Sequence, residues 1–346
     1  MAALNSPFQP NNVRRTLSDL GTRSEMVLPV MILGLSIFLI IESDAFLTDR
    51  NFQNLARQGA VLAVLAFGQT VVVLGRQLDL SVSATMALVS VVTARVAVDT
   101  GSPWALALAI PIGIAAGVVN GTLIGVFKMS SIVVTLGMLV FVRGIANVVS
   151  EGRPIFGLPD GYNWLGATNA LSIPVAFIIA IVVFVLVYIL LKWSTFGLHI
   201  YAMGDNPLAA RLAGVRTSRS IFMAYVLSGL LAGIAGALLT SRVNSGQARL
   251  AEGQEIQVLT AVFLGGIALA GGVGSLIGVF GAVVLLVILA NGLNLLGVVS
   301  FIQLVISGSI LLGSIALTGY FSHRRSRTTG GRRRSVLEML RAATQK

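Results

Sequence analysis

Between Ile256 and Ser322 the chain runs for 67 residues without one Asp, Glu, Lys or Arg. No soluble surface can be built from such a stretch. A helix needs about 20 apolar residues to cross the hydrocarbon core of a bilayer, so there is room here for three crossings and two tight connections. Glycine-rich breaks mark the connections: Gly271-Gly272-Val273-Gly274, and Asn291-Gly292-Leu293-Asn294 leading to Gly297. The whole chain agrees with this segment. Of its 346 residues 55% are hydrophobic and 11% charged, with a mean hydropathy of +0.90. Lipid must therefore replace water around much of the molecule.

Seven further apolar stretches lie at about 26–43, 55–75, 79–98, 103–127, 130–149, 171–191 and 219–241, with Arg76 and Asp79 at the junction of the second and third. The sequence thus predicts an all-α polytopic membrane protein of about ten transmembrane helices, forming one domain over 26–321. An N-terminal tail, 1–25, and a basic C-terminal tail, 322–346, flank it. The first apolar run follows a mixed polar tail and precedes no small-residue cleavage site, so it reads as a retained span. Ten spans with both termini in the cytoplasm put 17 of the 24 Lys and Arg on the inner side, as the positive-inside rule favours.

The net charge of +11 is concentrated in the C-terminal cluster Arg324, Arg325, Arg327, Arg332, Arg333 and Arg334. A cluster directly after the last apolar segment suits anionic membrane lipid. No nucleic-acid recognition fold accompanies it, so nucleic acid is not an expected partner.

Several chemistries are excluded by residue type. The chain has no cysteine and only His199 and His323, which removes disulfides, thiolate sites and a histidine metal centre. It lacks the Gly-x-x-x-x-Gly-Lys-Ser/Thr loop, His-Glu-x-x-His and Gly-x-Ser-x-Gly, so neither an ATP cradle nor a hydrolase signature is present. An ion-coupled carrier should bury acids in mid-helix. After Asp79 the acids fall in predicted loops, helix ends or tails: Asp99, Glu151, Asp160, Asp205, Glu252, Glu255 and Glu338. The energy source is therefore expected to be external, with no catalytic residue and no cofactor in this chain. Arg95 and Arg143 fall in outer helix halves, where snorkelling to the interface is expected over solute contact.

Lipid gives no hydrophobic drive for helix association, so small residues that let backbones approach are informative. Gly113, Gly117, Gly121 and Gly125 recur every four residues and form a helix-packing stripe, and Gly229 with Gly233 and Gly274 with Gly278 repeat the spacing. The segments 74–81 and 264–271 each interrupt an apolar run with glycine and polar residues, and Asn120-Gly121 and Asn291-Gly292 follow them. Paired interruptions suggest two pseudo-repeated halves with broken helices near a pathway. Polarity inside spans singles out Gln69, Asp79, Ser81, Asn120 and Asn291 as candidate pathway residues. Two connections are long. About 150–170, with Pro154, Pro159, Tyr162 and Trp164, is expected outside, where a delivering protein could meet it. The basic segment about 192–218 is expected inside, where a motor could. A pair of solvated linkers is the plain alternative.

Four segments in order resemble the permease subunits of ABC sugar importers of the ribose, xylose and arabinose type, within the larger branched-chain amino-acid and sugar permease group. The first is Leu78-Asp79-Leu80-Ser81-Val82, similar to a Gly-Gly-Ile-Asp-Leu-Ser-Val-Gly element, with Arg76, Gln77 and Ser83 standing where glycines are usual. The second is Asn120-Gly121 with Ile132-Val133-Val134-Thr135-Leu136-Gly137, Arg143-Gly144 and Gly152-Arg153-Pro154-Ile155. The third is Gly197 to Val215, centred on Gly204-Asp205-Asn206-Pro207-Leu208-Ala209-Ala210-Arg211-Leu212-Ala213-Gly214. The fourth runs from Gly265-Gly266 through Gly271-Gly272-Val273-Gly274-Ser275 to Asn291-Gly292-Leu293-Asn294.

The resemblance covers about 26–321. It implies a bacterial inner-membrane permease importing a monosaccharide, paired with a second permease copy. An ATP-binding subunit holding ATP and Mg would dock below it, and a periplasmic sugar-binding protein above. It further implies that about 197–215 is the segment coupling to the ATPase, through Asn206, Pro207, Leu208, Ala209, Ala210, Arg211, Leu212 and Gly214. Asn206 can cap a short helix and Pro207 suits its first position. Ala209, Ala210, Leu212 and Ala213 would present a small apolar surface, with Arg211 as a charged contact. Three other readings stay open: an ABC permease for a nucleoside, amino acid or other small polar solute, an ion-coupled carrier, and a non-transporting scaffold.

Overall fold

The computed structural model describes residues 11–299 and 301–316, so the tail 322–346, with His323 and the arginine cluster, lies outside the described residues. The chain is an all-α, multi-pass membrane protein. Its helices are α1 (Asn11–Glu42), α2 (Asp49–Leu74), α3 (Val82–Thr100), α4 (Ala109–Gly121), α5 (Ser131–Ser150), the short α6 (Trp164–Ala167), α7 (Val175–Trp193), α8 (Thr195–Asp205), α9 (Pro207–Leu212), α10 (Thr217–Val243), α11 (Gln254–Leu264) and α12 (Leu276–Leu295). The last, α13, spans Phe301–Ala316. A 3-10 turn, Pro103–Leu108, leads into α4, and a π turn, Thr122–Val126, continues it. A two-stranded antiparallel ribbon, β1 (Asn169–Ala170) with β2 (Ile173–Pro174), is the one sheet among the described residues.

Seven helices are long and apolar enough to cross a membrane: α2, α3, the Pro103–Val126 unit, α5, α7, α10 and α12. Val27–Glu42, α11 and α13 are apolar but shorter. Each predicted apolar stretch falls on one of these helices, but the 67-residue run does not divide into three equal crossings. α11, with 11 residues, covers only about 16 Å, roughly half the hydrocarbon core. The Gly265–Ser275 connection follows it.

α2 is the central helix. Thr48 caps it by accepting from Asn51 N–H at 3.3 Å, and Asp49 in the first turn meets the positive end of its dipole. From Ala60 to Leu74 every residue is buried, enclosed by α7, α10, α11 and α12. A helix apolar on all sides belongs in the middle of a bundle. α5 shows the opposite pattern: Val133, Val140, Phe141 and Val148 point outward, an apolar face suited to lipid.

The tightest helix pair is α4 against α10. A methyl group on Gly113 would strike the backbone of Gly229 and Gly233. On Gly117 it would strike Tyr225 and Val226, on Gly121 Phe222, and on Gly125 Ser218 and Phe222. Gly229 and Gly233 meet α4 reciprocally. The stripe brings main chain against main chain, and dispersion contacts and weak hydrogen bonds replace the missing hydrophobic drive.

The connection between α5 and α7 is pinned rather than free. Ile155 and Gly246 exchange backbone hydrogen bonds of 2.8 and 2.9 Å. Tyr162 is wholly buried, its hydroxyl 2.8 Å from Thr93 Oγ1, and its carbonyl accepts from Ser241 Oγ at 2.9 Å. Burial pushes the Tyr162 phenol up to about 12, with the Thr93 hydrogen bond opposing. The apolar side chains of Trp104, Phe156 and Leu171 remain exposed.

Two predictions follow from these contacts. Gly117→Ala should destabilise the detergent-solubilised protein by about 1–3 kcal/mol, as overpacking does. Gly137→Ala, where nothing lies within 4 Å, should leave the thermal midpoint unchanged. For Tyr162, a folded pKa raised above the unfolded value of about 10 contributes stability below pH ~10 and loses it as pH rises towards 12. Tryptophan fluorescence should report loosening of the connection between α5 and α7 in that window, and Tyr162→Phe should reduce the pH dependence.

Candidate functional site

α2 ends where its backbone can turn back. Arg76 adopts φ 61°, and its N–H donates to Val73 O at 2.9 Å, while Gln77 N–H donates to Val72 O at 3.1 Å. A left-handed conformation is natural for glycine and costs an L-residue about 1 kcal/mol or more. Arg76 occupies that position where the resembling element carries glycine.

The chain then climbs back beside α2, and buried side chains hold it there. The amide of Gln69, buried on α2, lies 3.2 Å from both the carbonyl and the N–H of Asp79, and, with its O and N assigned to match these partners, it donates to the first and accepts from the second. The Asp79 carboxylate is buried. Oδ1 accepts from Ser81 N–H at 3.0 Å and Ser81 Oγ at 2.6 Å, and Oδ2 accepts from Ser228 Oγ at 2.9 Å. Asn120 Nδ2 donates to Ser81 Oγ at 2.8 Å, and Tyr225 OH donates to Leu78 O at 2.8 Å. Gln69, Asp79, Ser81 and Asn120 therefore form one buried cluster that ties the break after α2 to α4 and α10. Asn120 Oδ1 is the cluster's orphan, buried without a partner. No Lys or Arg pairs with Asp79 among the described residues.

The second interruption, between α11 and α12, meets the first. Gly266, Gly271, Gly272 and Gly274 all have positive φ, which makes a tight loop. Gly272 N–H donates to the Leu74 carbonyl at 2.9 Å. The end of α8 seals the junction. A Cβ on Gly204 would meet Leu74 O and Gly272, and one on Gly272 would meet Asp205 and Gly204. Tyr201 OH adds a 3.1 Å bond to Gly274 O. Both breaks and the end of α8 thus touch through main chain at one point.

α9 follows at once. Asn206 Oδ1 accepts from Leu208 and Ala209 N–H at 3.1 and 3.0 Å, with Pro207 in the first helical position. Gly214, at φ 84°, closes the turn after the helix, and Arg211 Nε donates to Thr217 Oγ1 at 3.2 Å. Of the four residues expected to form the apolar surface, Ala209, Leu212 and Ala213 are exposed and Ala210 is not. Ala210 is buried at 5% exposure, whereas Leu208 and Leu212 stand out at 68% and 82%. In a six-residue helix, Ala210 lies on the side packed against the bundle.

Asn291 stands apart from the Asp79 cluster. It pairs with Asn51 in the first turn of α2, the two amides exchanging bonds of 3.1 and 2.7 Å. Arg143 turns inward instead of snorkelling. It donates to Ser83 Oγ at 3.3 Å and lies 3.7 Å from Glu252, while Arg95 pairs with Asp99 at the exposed end of α3. Sequence reasoning missed Ser228, Tyr225 and Asn51, whose residue types are unremarkable where they stand. Among the described residues no group of three or more His, Asp or Glu side chains could hold a metal ion.

Residues 51–315 match a family described as the permease component of the branched-chain amino acid transport system. The chain is 41% identical to a ribose import permease protein of Bacillus subtilis (strain 168), over 82% of this chain and 90% of that protein. It is 34% identical to the ribose import permease protein of Escherichia coli (strain K12), over 78% and 86%. It is 33% identical to the L-arabinose transport system permease protein of the same organism, over 85% and 89%. No solved structure gives a significant match.

The cluster separates the need for an acceptor from the need for a charge. Asp79→Ala strands three donors and should destabilise the protein by about 1–3 kcal/mol for each bond left unmade. Asp79→Asn keeps the size and an acceptor, and the Ser228 hydroxyl can rotate to accept, so most stability should remain. Asn120→Ala should cost least, since it also removes an orphaned buried oxygen. Thermal unfolding in one detergent would rank the three.

Proposed function

Because the chain belongs to the family of branched-chain amino acid transport system permease components, we propose that it is the membrane-spanning subunit of an ATP-driven importer for a monosaccharide of the ribose kind. The observation that carries this reading is the 41% identity to a ribose import permease over most of both chains. The permease works with an ATP-binding subunit that holds ATP and Mg, with a sugar-binding protein on the outer face, and with a second permease copy. Ten passes through the bacterial inner membrane, of which α11 makes only part of one, leave both termini in the cytoplasm.

The geometry supports a direct drive. Leu208 and Leu212 offer an apolar contact on α9 for a groove of the ATPase. Force on α9 passes to the end of α8, and from Gly204 by main-chain contact to Leu74 and Gly272. Both helix interruptions then shift together, and the Asp79 cluster relays the shift to α4 and α10. ATP binding and hydrolysis bias the two arrangements through the partner, since this permease carries no fuel of its own.

The ion-coupled alternative turns on Asp79, the one buried carboxylate among the described residues. Its three hydrogen bonds from Ser81 and Ser228 tie it to two other elements, as befits a fixed anchor. Uptake retained in Asp79→Asn is therefore expected, and uptake abolished in a folded Asp79→Asn protein would revive the carrier.

Affinity purification of the tagged chain in mild detergent, with ATPase activity assayed on the eluate, tests the importer directly. An ATP-binding subunit should co-purify with wild type. Leu208→Glu combined with Leu212→Glu should lower its recovery at least tenfold while the thermal midpoint stays put, because both side chains are exposed. Recovery unaffected by the double change would move the docking site. Solute entry into cells expressing this chain without any ATPase would overturn the importer.

A further inference from the structure

The connection from α4 to α5 presents a lysine in a strained conformation. Phe127 N–H closes the π turn Thr122–Val126 on Thr122 O at 3.0 Å, and Met129 N–H donates to Leu123 O at 3.1 Å. Between them Lys128 has φ 58°, a left-handed conformation that glycine adopts freely and an L-residue only at a cost. Its neighbours are apolar and exposed: Val126, Phe127 and Met129, with Phe127 at 67%. Water gives such a run no reward. At the boundary of a bilayer it suits both phases, with the apolar groups and the lysine stem in hydrocarbon and the ammonium among headgroups.

The start of α10 lies against this connection. A Cβ on Gly125 would meet Ser218 O and the backbone of Phe222. Arg216 and Arg219 flank Ser218, and both are exposed. Met223, one turn further along α10 from Arg219, is exposed as well, and so are Ile132 and Val133 in the first turn of α5. Three cations thus border an apolar surface that runs on, through Val133, into the outward face of α5.

Nothing in the chain neutralises these cations. Among the described residues Lys128, Arg216 and Arg219 make no ion pair and no side-chain hydrogen bond. α10 has no acid in its first turn. Asp205, exposed at the end of α8, pairs with none of the three. Arg211 adds a further charge nearby but is spent on Thr217. A free anion would meet the cations and leave Phe127 and Met129 in water. A phospholipid of net negative charge answers both needs, with its phosphate among the ammonium and guanidinium groups and its chains against the apolar residues.

We infer that Lys128, Arg216 and Arg219 hold the headgroup of an anionic phospholipid at the end of the bundle that carries α9, with the acyl chains along Phe127 and Met223. The site is independent of the solute that the chain carries.

The absence of cysteine allows a local test. Met223→Cys in the full-length chain is labelled with bimane and reconstituted in vesicles of equal parts dioleoyl phosphatidylcholine and dioleoyl phosphatidylglycerol. One lipid or the other carries brominated chains, so quenching reports which of them touches the label. Ile41→Cys, exposed towards the opposite end of the bundle, is the control. Each cation near an anionic headgroup contributes about fivefold in affinity, so quenching at Met223→Cys should favour phosphatidylglycerol by about tenfold or more, with no preference at Ile41→Cys. Arg219→Gln alone should cut the preference about fivefold, and Lys128→Gln with Arg216→Gln and Arg219→Gln should abolish it. All three side chains are exposed and unpaired, so the thermal midpoint should stay put. A preference that survives the triple change overturns the proposal, as does an equal preference at Ile41→Cys, which would reflect net charge alone. Absence of quenching at Met223→Cys by either lipid would mean that a second copy covers this face, and overturns it too. An ATP-binding subunit lost from the purified triple variant, with no lipid preference in wild type, would give the face to that partner instead.

Discussion

Main chain in contact with main chain is the constraint on which this architecture depends. Inside lipid an apolar side chain gains nothing by leaving one hydrocarbon environment for another, so helices adhere only where their backbones come close. Gly113, Gly117, Gly121 and Gly125 supply that closeness for α4, and Gly229 with Gly233 return it from α10. The same device at smaller scale joins Gly204 to Leu74 and Gly272. One sort of contact thus builds the bundle wall and the joint between its two helix interruptions.

The joint gives the Asp79 cluster its meaning. A break in a buried helix exposes amides and carbonyls that cannot be left unpaired in hydrocarbon. Gln69 and Tyr225 satisfy the main chain of the break, and Asp79, Ser81, Ser228 and Asn120 lock its outgoing end to α4 and α10. Polar residues inside the spans serve the backbone of the interruption.

The sequence displays what depends on local composition. Apolar runs separated by glycine and polar residues locate the helices, because hydrocarbon thickness sets their length. The four-residue spacing of glycines on α4 is visible, but its partner α10 is not, since nothing local encodes which helix will approach. The half-length of α11 is hidden for a related reason: Gly265 and Gly266 interrupt a run that remains uncharged on both sides, so the stretch from Ile256 counts as long. Gln69, Asp79, Ser81 and Asn120 stand out as polar residues in apolar surroundings. Their meeting, and the diversion of Asn291 to Asn51, depends on pairings across tens to hundreds of positions. Ser228 and Tyr225 escape notice because a serine or tyrosine in a 27-residue helix is ordinary until its partner is known. Ala210 shows the limit at finer grain, since in so short a helix composition alone does not fix the inward side.

The Gly204, Leu74 and Gly272 joint contains almost no side-chain information. Glycine and a carbonyl oxygen make it, and both are indifferent to what the protein carries. Substitution can therefore reach this joint only by adding a side chain to it, never by trading one for another.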